Sequence, residues 1–416
     1  MTTLRTPLRE VLRRLLGKAP SDWAGADPAN APAVLRARPP EPENRHEVVA
    51  LGQSAEALDP RLAFLAARGH RVFLVSRDAS VAGLHGIREC APCLFPVSIP
   101  ERDAFATLDR LRRDRALGAA VCVVKDPAWL PLAERLRAEL GWPTMDLARE
   151  GVGNLDEHAF AAALEGSFPL VSIVVVTHNN RHLNRLCLDG LFARTEWPNF
   201  EVLVVDNGSS DGTLELLAEY VRAHRNFEVI ALPENRGYPA ACNAGLARAA
   251  GDPIVLLNND TVATRGWLTA LRRHLVASPR LGMVGPVTNA IANEARVGVA
   301  YAGLEQLPRW AAAWVRDHDG ESFAIPMLAF FCVALRREVF ASVGPLDERF
   351  GLGLFEDGDY NRRVREKGWE IRCARDAFVH HWQNASFRRL GKDAYFALYE
   401  ENRRKYEAKW GGAPKG

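Results

Sequence analysis

Leu170-Val-Ser-Ile-Val-Val-Val-Thr177 is an almost unbroken apolar run, most of it β-branched. Such a run suits a strand buried on both faces, which is the normal state of a central strand in a parallel sheet covered by helices. Three more segments of the same kind follow: Glu201-Val-Leu-Val-Val-Asp206, Phe227–Leu232 and Pro253-Ile-Val-Leu-Leu-Asn258. Helical patterns lie between them at 183–194, 213–224 and 239–249. Strand and helix in alternation predict an α/β domain built on a mostly parallel central sheet.

In an open α/β sheet, ligands gather outside the carboxyl ends of the strands. The residues leaving each strand therefore carry the functional information. They are Thr177-His178-Asn179-Asn180, then Asp206-Asn207-Gly208-Ser209-Ser-Asp-Gly-Thr213, then Pro233-Glu-Asn235-Arg-Gly237-Tyr-Pro239, then Asn258-Asn259-Asp260-Thr261. Singly, each is ordinary turn and helix-capping chemistry, and Ser210-Asp211-Gly212-Thr213 reads equally as the cap of the next helix. Four consecutive buried strands emptying polar side chains onto one edge demand more than capping. Further on, Glu356-Asp357-Gly-Asp359 opens a helix running through Arg363 and Lys367. Acidic residues at a helix N-terminus are favoured by its dipole, and Asp359 and Arg363 are spaced to pair along one face.

The pieces Val171-Ser-Ile-Val-Val-Val-Thr-His-Asn179, Val205-Asp-Asn-Gly-Ser-Ser-Asp-Gly-Thr213, Glu234-Asn-Arg-Gly-Tyr-Pro-Ala-Ala-Cys-Asn243, Leu257-Asn-Asn-Asp-Thr261 and Phe355-Glu-Asp-Gly-Asp-Tyr360, in this order and spacing from 169 to 381, resemble family 2 glycosyltransferases. The resemblance implies a GT-A fold and an inverting, hexosyltransferase-type enzyme. Its donor would be a nucleoside-diphosphate sugar, UDP- or dTDP-linked, and its acceptor a hydroxyl of a glycan or lipid-linked saccharide in surface polysaccharide assembly. By the same resemblance Thr177, His178, Asn179, Asp206, Asn207, Ser209, Asn235, Gly237, Asn243 and Asn259 shape the nucleotide pocket, with Asp206 near the base or ribose. A carboxylate accepts hydrogen bonds from a ring N–H or a hydroxyl, and Gly237 lets backbone approach a ligand.

Asn258-Asn259-Asp260 stands where the family has its D-x-D metal motif, with Asn258 replacing the first Asp. Asp260 is the expected ligand of a divalent cation, Mn²⁺ or Mg²⁺, since hard cations take oxygen ligands together with substrate phosphates. A metal-binding His is expected at Val379-His380-His381-Trp382; His380 fits the register better, and His381 stays open. The Gly-Ser that usually follows is absent. Asp357 corresponds to the general base that removes a proton from the acceptor hydroxyl, with Glu356 orienting it or the acceptor. One carboxylate at the anomeric carbon suits single displacement, hence inversion. Residues 323–336 read as one strand passing under the acceptor site, and Gly351-Leu-Gly-Leu-Phe355 as a loop able to flex over substrate. Trp310 and Trp314 sit in a stretch, 286–319, that matches no motif; they read as core or as a platform for a sugar ring.

Upstream, strands at 46–51, 71–76, 94–99 and 119–125 alternate with helices at 60–68, 103–113 and 128–140. This predicts a smaller Rossmann-like α/β domain over 46–155, joined by a helix near 156–165 to the glycosyltransferase domain at 169–411. No G-x-G-x-x-G follows its first strand, so a dinucleotide site is not expected. Its element order resembles one half of a GT-B type glycosyltransferase, which lacks a cleft of its own, so a binding or scaffold role is expected. Residues 6–18 form a basic amphipathic pattern with Leu8, Val11, Leu12, Leu15 and Leu16 on one side. It suits a helix docked on its own protein or in peripheral contact with an anionic membrane. The Pro- and Ala-rich stretch 19–45 reads as a linker.

Among the 416 residues, 53 Lys and Arg nearly balance 51 Asp and Glu. That balance gives a nucleic-acid partner no basic footprint. Hydrophobic residues at 48% and charged residues at 25% fit a globular protein. The seven cysteines, odd in number and mostly within apolar runs, suggest buried thiols and a cytoplasmic setting. Cys90 and Cys93 form a lone C-x-x-C without a second ligand pair. No apolar run reaches the ~18 residues of a membrane span. Two other readings remain. A nucleotidyltransferase would need a Gly-rich basic loop after the first strand, and Thr177-His-Asn-Asn-Arg-His182 is not one. A catalytically silent nucleotide-sugar-binding or scaffold protein is favoured by Asn258 and disfavoured by Asp260 and Asp357.

Overall fold

The computed structural model describes residues 167–382 and 391–412 without a break. Before them it describes 33–36, 47–51, 59–67, 71–76, 94–98, 101–113, 120–124, 126–140 and 142–147, with a few positions between 155 and 163. The basic pattern at 6–18 and the Cys90/Cys93 pair lie outside these residues. Strand β1 (Ala33–Arg36) falls within the stretch expected to be a linker. It is instead an edge strand, pairing antiparallel with Phe227–Leu232 of the larger sheet.

The upstream sheet is wholly parallel. Its strands β2 (Glu47–Leu51), β3 (Arg71–Ser76), β4 (Leu94–Ser98), β5 (Ala120–Val124) and β6 (Thr144–Asp146) stand in the order β4-β3-β2-β5-β6. Helices α1 (Pro60–Ala67), α2 (Glu101–Arg113) and α3 (Leu130–Leu140) connect them. The helix expected from 128 is preceded by a 3₁₀ turn at Pro127–Trp129, capped by the Asp126 carboxylate accepting from the Ala128 amide. Arg112 on α2 pairs with Asp319 of the larger domain at 2.9 Å. Asp319 also meets Arg273 at 3.0 Å; Arg273 pairs with Asp376, which accepts from His274 at 2.8 Å. Burial would raise the Asp319 carboxyl, but the two guanidinium groups outweigh it and hold it at about 2. This ionic chain fastens the smaller domain to the larger.

In the larger domain, β7 (Val171–Thr177), β8 (Phe200–Asn207), β9 (Phe227–Leu232) and β10 (Ile254–Asn258) form the parallel centre, in the order β9-β8-β7-β10. Helices α4 (Arg181–Arg194), α5 (Thr213–Ala223) and α6 (Tyr238–Arg248) cross over between them. Alternation divides the strands between two cores. Ile173, Val175, Val202, Val204 and Val255 join one, while Val174, Val176, Leu203, Val205 and Leu256 join the other. Every residue of β7 is buried, so the unbroken apolar run is what two covered faces require.

Beyond β10 come β11 (Thr261–Ala263), α7 (Trp267–Ala277), β12 (Leu281–Val287), α8 (Leu307–Asp317), β13 (Ser322–Ala324), β14 (Cys332–Leu335), α9 (Arg337–Val343), α10 (Glu356–Glu366), β15 (Glu370–His381) and α11 (Lys392–Trp410). The sheet continues as β10-β14-β12-β15-β11, with β13 beside β15. Residues 323–336 are therefore not one strand. β13 leaves β15 after Ala324, and β14 pairs instead with β10 and β12. The Asn361 side chain then takes over the backbone of Leu328, accepting from its amide at 3.0 Å and donating to its carbonyl at 2.8 Å. Trp310 and Trp314 stack on each other at 5.4 Å, Trp310 meets Phe378 at 4.7 Å, and the Trp314 indole donates to Arg375 O at 2.8 Å. Both rings pack α8 on β15 while remaining partly exposed. No helix among the described residues is long and apolar enough to cross a membrane.

Candidate active site

A cavity of about 530 Å³ opens at the carboxyl edge of the parallel strands. It gathers His178, Asn179, Asn207, Asn235, Asn259, Asp260, Glu356, Asp357 and His381 from the residues singled out by sequence. Thr177, Asp206, Ser209, Gly237, Asn243 and His380 do not line it. Most of these stand just behind it.

Thr177 is buried and donates to Asn184 Oδ1 at 2.8 Å while accepting from Asn259 Nδ2 at 3.2 Å. Asn259 also donates to Asn184 Oδ1 at 2.6 Å, and Asn184 Nδ2 donates to Thr213 and to the Asn179 carbonyl. This closed network ties β7, α4, α5 and β10 together under the cavity floor. Asn184 was not singled out by sequence. Its signal was present, because it is a polar residue between Leu183 and Cys187 on the buried face of α4.

Asp206, last but one in β8, is fully buried. Oδ2 accepts from the Ser209 amide at 3.3 Å, and Oδ1 has no partner among the described residues. Burial lifts this carboxyl to about 6 against the opposing pull of the Ser209 hydrogen bond. Its neighbour Asn207 donates to Asn235 Oδ1 at 3.0 Å and accepts from the Arg236 amide at 2.9 Å, which joins the β8 and β9 loops. The Ser209 hydroxyl accepts from the Asn179 amide at 2.7 Å, and His178 Nδ1 lies 2.9 Å from the Asn207 carbonyl.

Gly237 and Asn243 serve the protein, not the cavity wall. At Gly237, φ is 89°, and a Cβ there would sit 2.0 Å from the Gly351 carbonyl oxygen. The close approach that glycine permits is thus by the 351–355 loop. Asn243 exchanges hydrogen bonds with both backbone groups of Leu346, at 2.9 and 2.8 Å, and donates to Glu348.

The register of β11 on β15 decides between the two histidines. Thr261 faces His381 and Val262 faces His380, so the histidines point to opposite sides of the ribbon. His381 falls beside Asp260, with Nε2 3.3 Å from Oδ1, and lines the cavity. His380 turns away to the Tyr301 hydroxyl, 2.6 Å from Nδ1, and burial followed by His381 drives it down to about 4. The structure thus places His381, and not His380, beside Asp260 in the cavity. His381 Nδ1 lies 3.0 Å from the Ala290 carbonyl, which fixes the proton on Nδ1 and leaves the Nε2 lone pair facing Asp260. Two lone-pair atoms so placed repel unless a second proton or a cation lies near both. An oxygen and an imidazole nitrogen suit Mn²⁺ or Mg²⁺, and such ions take one or two protein ligands and complete their shell from substrate phosphates. Among the described residues no cluster of three or more His, Cys, Asp or Glu offers a self-sufficient metal cage. His381→Ala is expected to weaken Mn²⁺ binding by about tenfold or more, while His380→Ala leaves it near wild type. Titration calorimetry of both variants checks the assignment, and equal losses would refute it.

The first turn of α10 lines the same cavity. Glu356 is 7% exposed, and its Oε2 has no partner among the described residues. Burial, then the charge of Asp357, lifts its carboxyl to about 8. Burial also raises Asp357, whose Oδ1 accepts from the Gly358 amide at 2.7 Å. Asp359 pairs with Arg363 at 2.9 Å as its spacing predicted. The Tyr238 hydroxyl, 3.0 Å from both Asn258 Oδ1 and the Phe330 carbonyl, closes the wall between acid pair and strand end. A carboxyl whose folded pKa is raised binds its proton more tightly folded than unfolded. Stability therefore falls as pH rises from the unfolded value near 4.5 towards 8. Glu356→Gln, which cannot ionise, is expected to raise Tm at pH 8 by a few degrees and to leave it unchanged at pH 4. Differential scanning calorimetry at both pH values decides; an equal shift at each would mean that Glu356 carries no such penalty.

Residues 172–344 match the family model described as Glycosyl transferase family 2. This part of the chain is similar to family 2 glycosyltransferase domains. Over 237 residues, 53% of this chain, it is 31% identical to the O-antigen biosynthesis protein RfbC of Myxococcus xanthus, covering 18% of that protein. It is 27% identical to the N-acetylglucosaminyl-diphospho-decaprenol L-rhamnosyltransferase of Mycobacterium tuberculosis, over 48% of this chain and 72% of the relative. A mannosyltransferase from Pyrobaculum calidifontis, solved with GDP-Man and Mn²⁺, superposes with a TM-score of 0.44 at 21% identity, over 59% of this chain and 66% of that one. The chain spans well under half the length of several curated relatives. The acid pair and His381 lie beyond the residues that the family model matches.

Proposed function

We propose that the protein transfers a sugar from a nucleoside-diphosphate sugar, UDP- or dTDP-linked, to a hydroxyl of a glycan or lipid-linked acceptor, with inversion. The observation that carries this reading is one cavity holding Asp260 beside His381 on one wall and Glu356 with Asp357 on another. The nucleoside end belongs with Asn207, Asn235 and the edge of β8. There the unpartnered Oδ1 of buried Asp206 suits a ring N–H or ribose hydroxyl. Asp260 and His381 would hold a divalent cation, which when bound offsets the negative charge gathering on the departing diphosphate.

Asp357 supplies the base. Burial raises its carboxyl above the ordinary value, which makes it a stronger proton acceptor. Burial and the charge of Asp357 lift Glu356 to about 8, so it keeps its proton at neutral pH and can donate a hydrogen bond from Oε2 to a sugar oxygen. The two carboxyls share one turn, so a second charge beside Asp357 is avoided. A single base without an opposed nucleophile matches one displacement at the anomeric carbon. Calorimetry of UDP, dTDP and their common sugar conjugates with Mn²⁺ tests the reading. Micromolar binding of one nucleotide series supports it, and no binding to any nucleotide overturns it.

A further inference from the structure

Helix α11 lies beyond the residues that the family model matches, yet it holds the loop that leads into Glu356 and Asp357. Asn402 on this helix is fully buried. Its side-chain nitrogen faces three carbonyls of the loop: Phe350 and Gly353 at 2.7 Å and Leu354 at 3.3 Å. Its Oδ1 has no partner among the described residues. A buried amide half satisfied is costly, so packing alone gives no reason for asparagine at this position.

The loop needs an external hold. Leu354 and Phe355 sit at φ 75° and 74°, a region non-glycine residues avoid unless their surroundings impose it. The same residues, from Leu352 to Asp357, line the cavity. Other α11 side chains act on the same segment. Lys405 donates to the Arg349 carbonyl at 2.7 Å, Lys409 meets Asp347 at 2.7 Å and Asp359 at 2.6 Å, and the Tyr399 ring lies 5.1 Å from that of Phe355.

We propose that Asn402 is a positioning residue for the acid pair: its amide gathers the 350–354 carbonyls, imposes the left-handed entry into α10, and so aims Glu356 and Asp357 into the cavity. The inference rests on the glycosyltransferase reading above for its kinetic consequences. Asn402→Ala and Asn402→Asp in the full chain remove the donor. Turnover is expected to fall by about tenfold or more, because small displacements of a reacting group are costly. The calorimetric affinity for nucleoside diphosphate with Mn²⁺ should stay within about twofold, since the residues assigned to it lie on other elements. The acid limb of the kcat profile should move to lower pH by about half a unit or more as water reaches the carboxyls. Unchanged kcat and pH limb, or turnover and affinity falling together, overturns the proposal.

Tyr399→Ala, at a partly exposed ring, provides a folded alternative should the Asn402 variants not fold. The same kinetic split at smaller amplitude supports the proposal, and wild-type kinetics overturns it. Amide hydrogen exchange judges the latch without activity. Exchange across 350–358 should accelerate in the variants while 171–177 stays protected, and unaltered exchange overturns the inference. A wild-type chain that transfers no sugar would instead sink the glycosyltransferase reading and leave the exchange result to decide this one.

Discussion

Asp357→Asn is expected to cut turnover by about 10²- to 10⁴-fold, the usual worth of a general base, with nucleoside-diphosphate affinity close to wild type. The asparagine keeps the size of the side chain, and its Oδ1 can still accept from the Gly358 amide, which Asp357 holds at 2.7 Å. It cannot take a proton from an acceptor hydroxyl. Because Asp357 stands on α10, while the residues assigned to the nucleotide leave β7, β8 and β9, the loss belongs in kcat and not in nucleotide binding. Single-turnover transfer measured beside calorimetry separates the two. Full activity would remove Asp357 from the chemistry. Equal loss in Glu356→Gln would instead assign the proton transfer to the pair as a unit.

What the chain reveals before folding is unequal. The strands from 170 to 258 are legible because two-sided burial writes itself as β-branched runs, and β7 to β10 fall within a few residues of their expected limits. The acid pair is legible only through the resemblance of Phe355-Glu-Asp-Gly-Asp-Tyr360 to a family motif, since carboxylates where a helix begins are also ordinary dipole chemistry. The choice between His380 and His381 was not. It depends on the pairing of β15 with the three-residue strand β11, and a slip of one residue exchanges the faces. Gly237 was marked for a ligand, and its partner is the Gly351 carbonyl, more than a hundred residues away in sequence. β1 was missed because a four-residue edge strand has too little pattern to stand out from a Pro/Ala-rich stretch. Asn402 left no trace either, since its meaning lies in three carbonyls of another element.

Removal of the cation should have an effect as large as removal of the base. EDTA is expected to abolish transfer, with Mn²⁺ or Mg²⁺ restoring it, and Asp260→Ala should lower turnover by about 10²-fold or more even at saturating metal. The donor set explains why. Asp260 and His381 adjoin at 3.3 Å, and Asn258, which stands where the family has a second carboxylate, already accepts from the Tyr238 hydroxyl at 3.0 Å. With one carboxylate, one neutral imidazole and no third such ligand beside them among the described residues, metal affinity should depend strongly on the diphosphate that shares the ion. Mn²⁺ should therefore bind the chain weakly alone and at least tenfold more tightly with nucleoside diphosphate present, a coupling that must be reciprocal. The Asp260→Ala variant should lose this coupling while retaining metal-free nucleotide binding through the β8 edge. Calorimetric titrations of Mn²⁺ with and without UDP, on wild type and variant, measure all four terms. Transfer that persists in EDTA, or a coupling that survives the loss of Asp260, would take the cation away from this wall of the cavity.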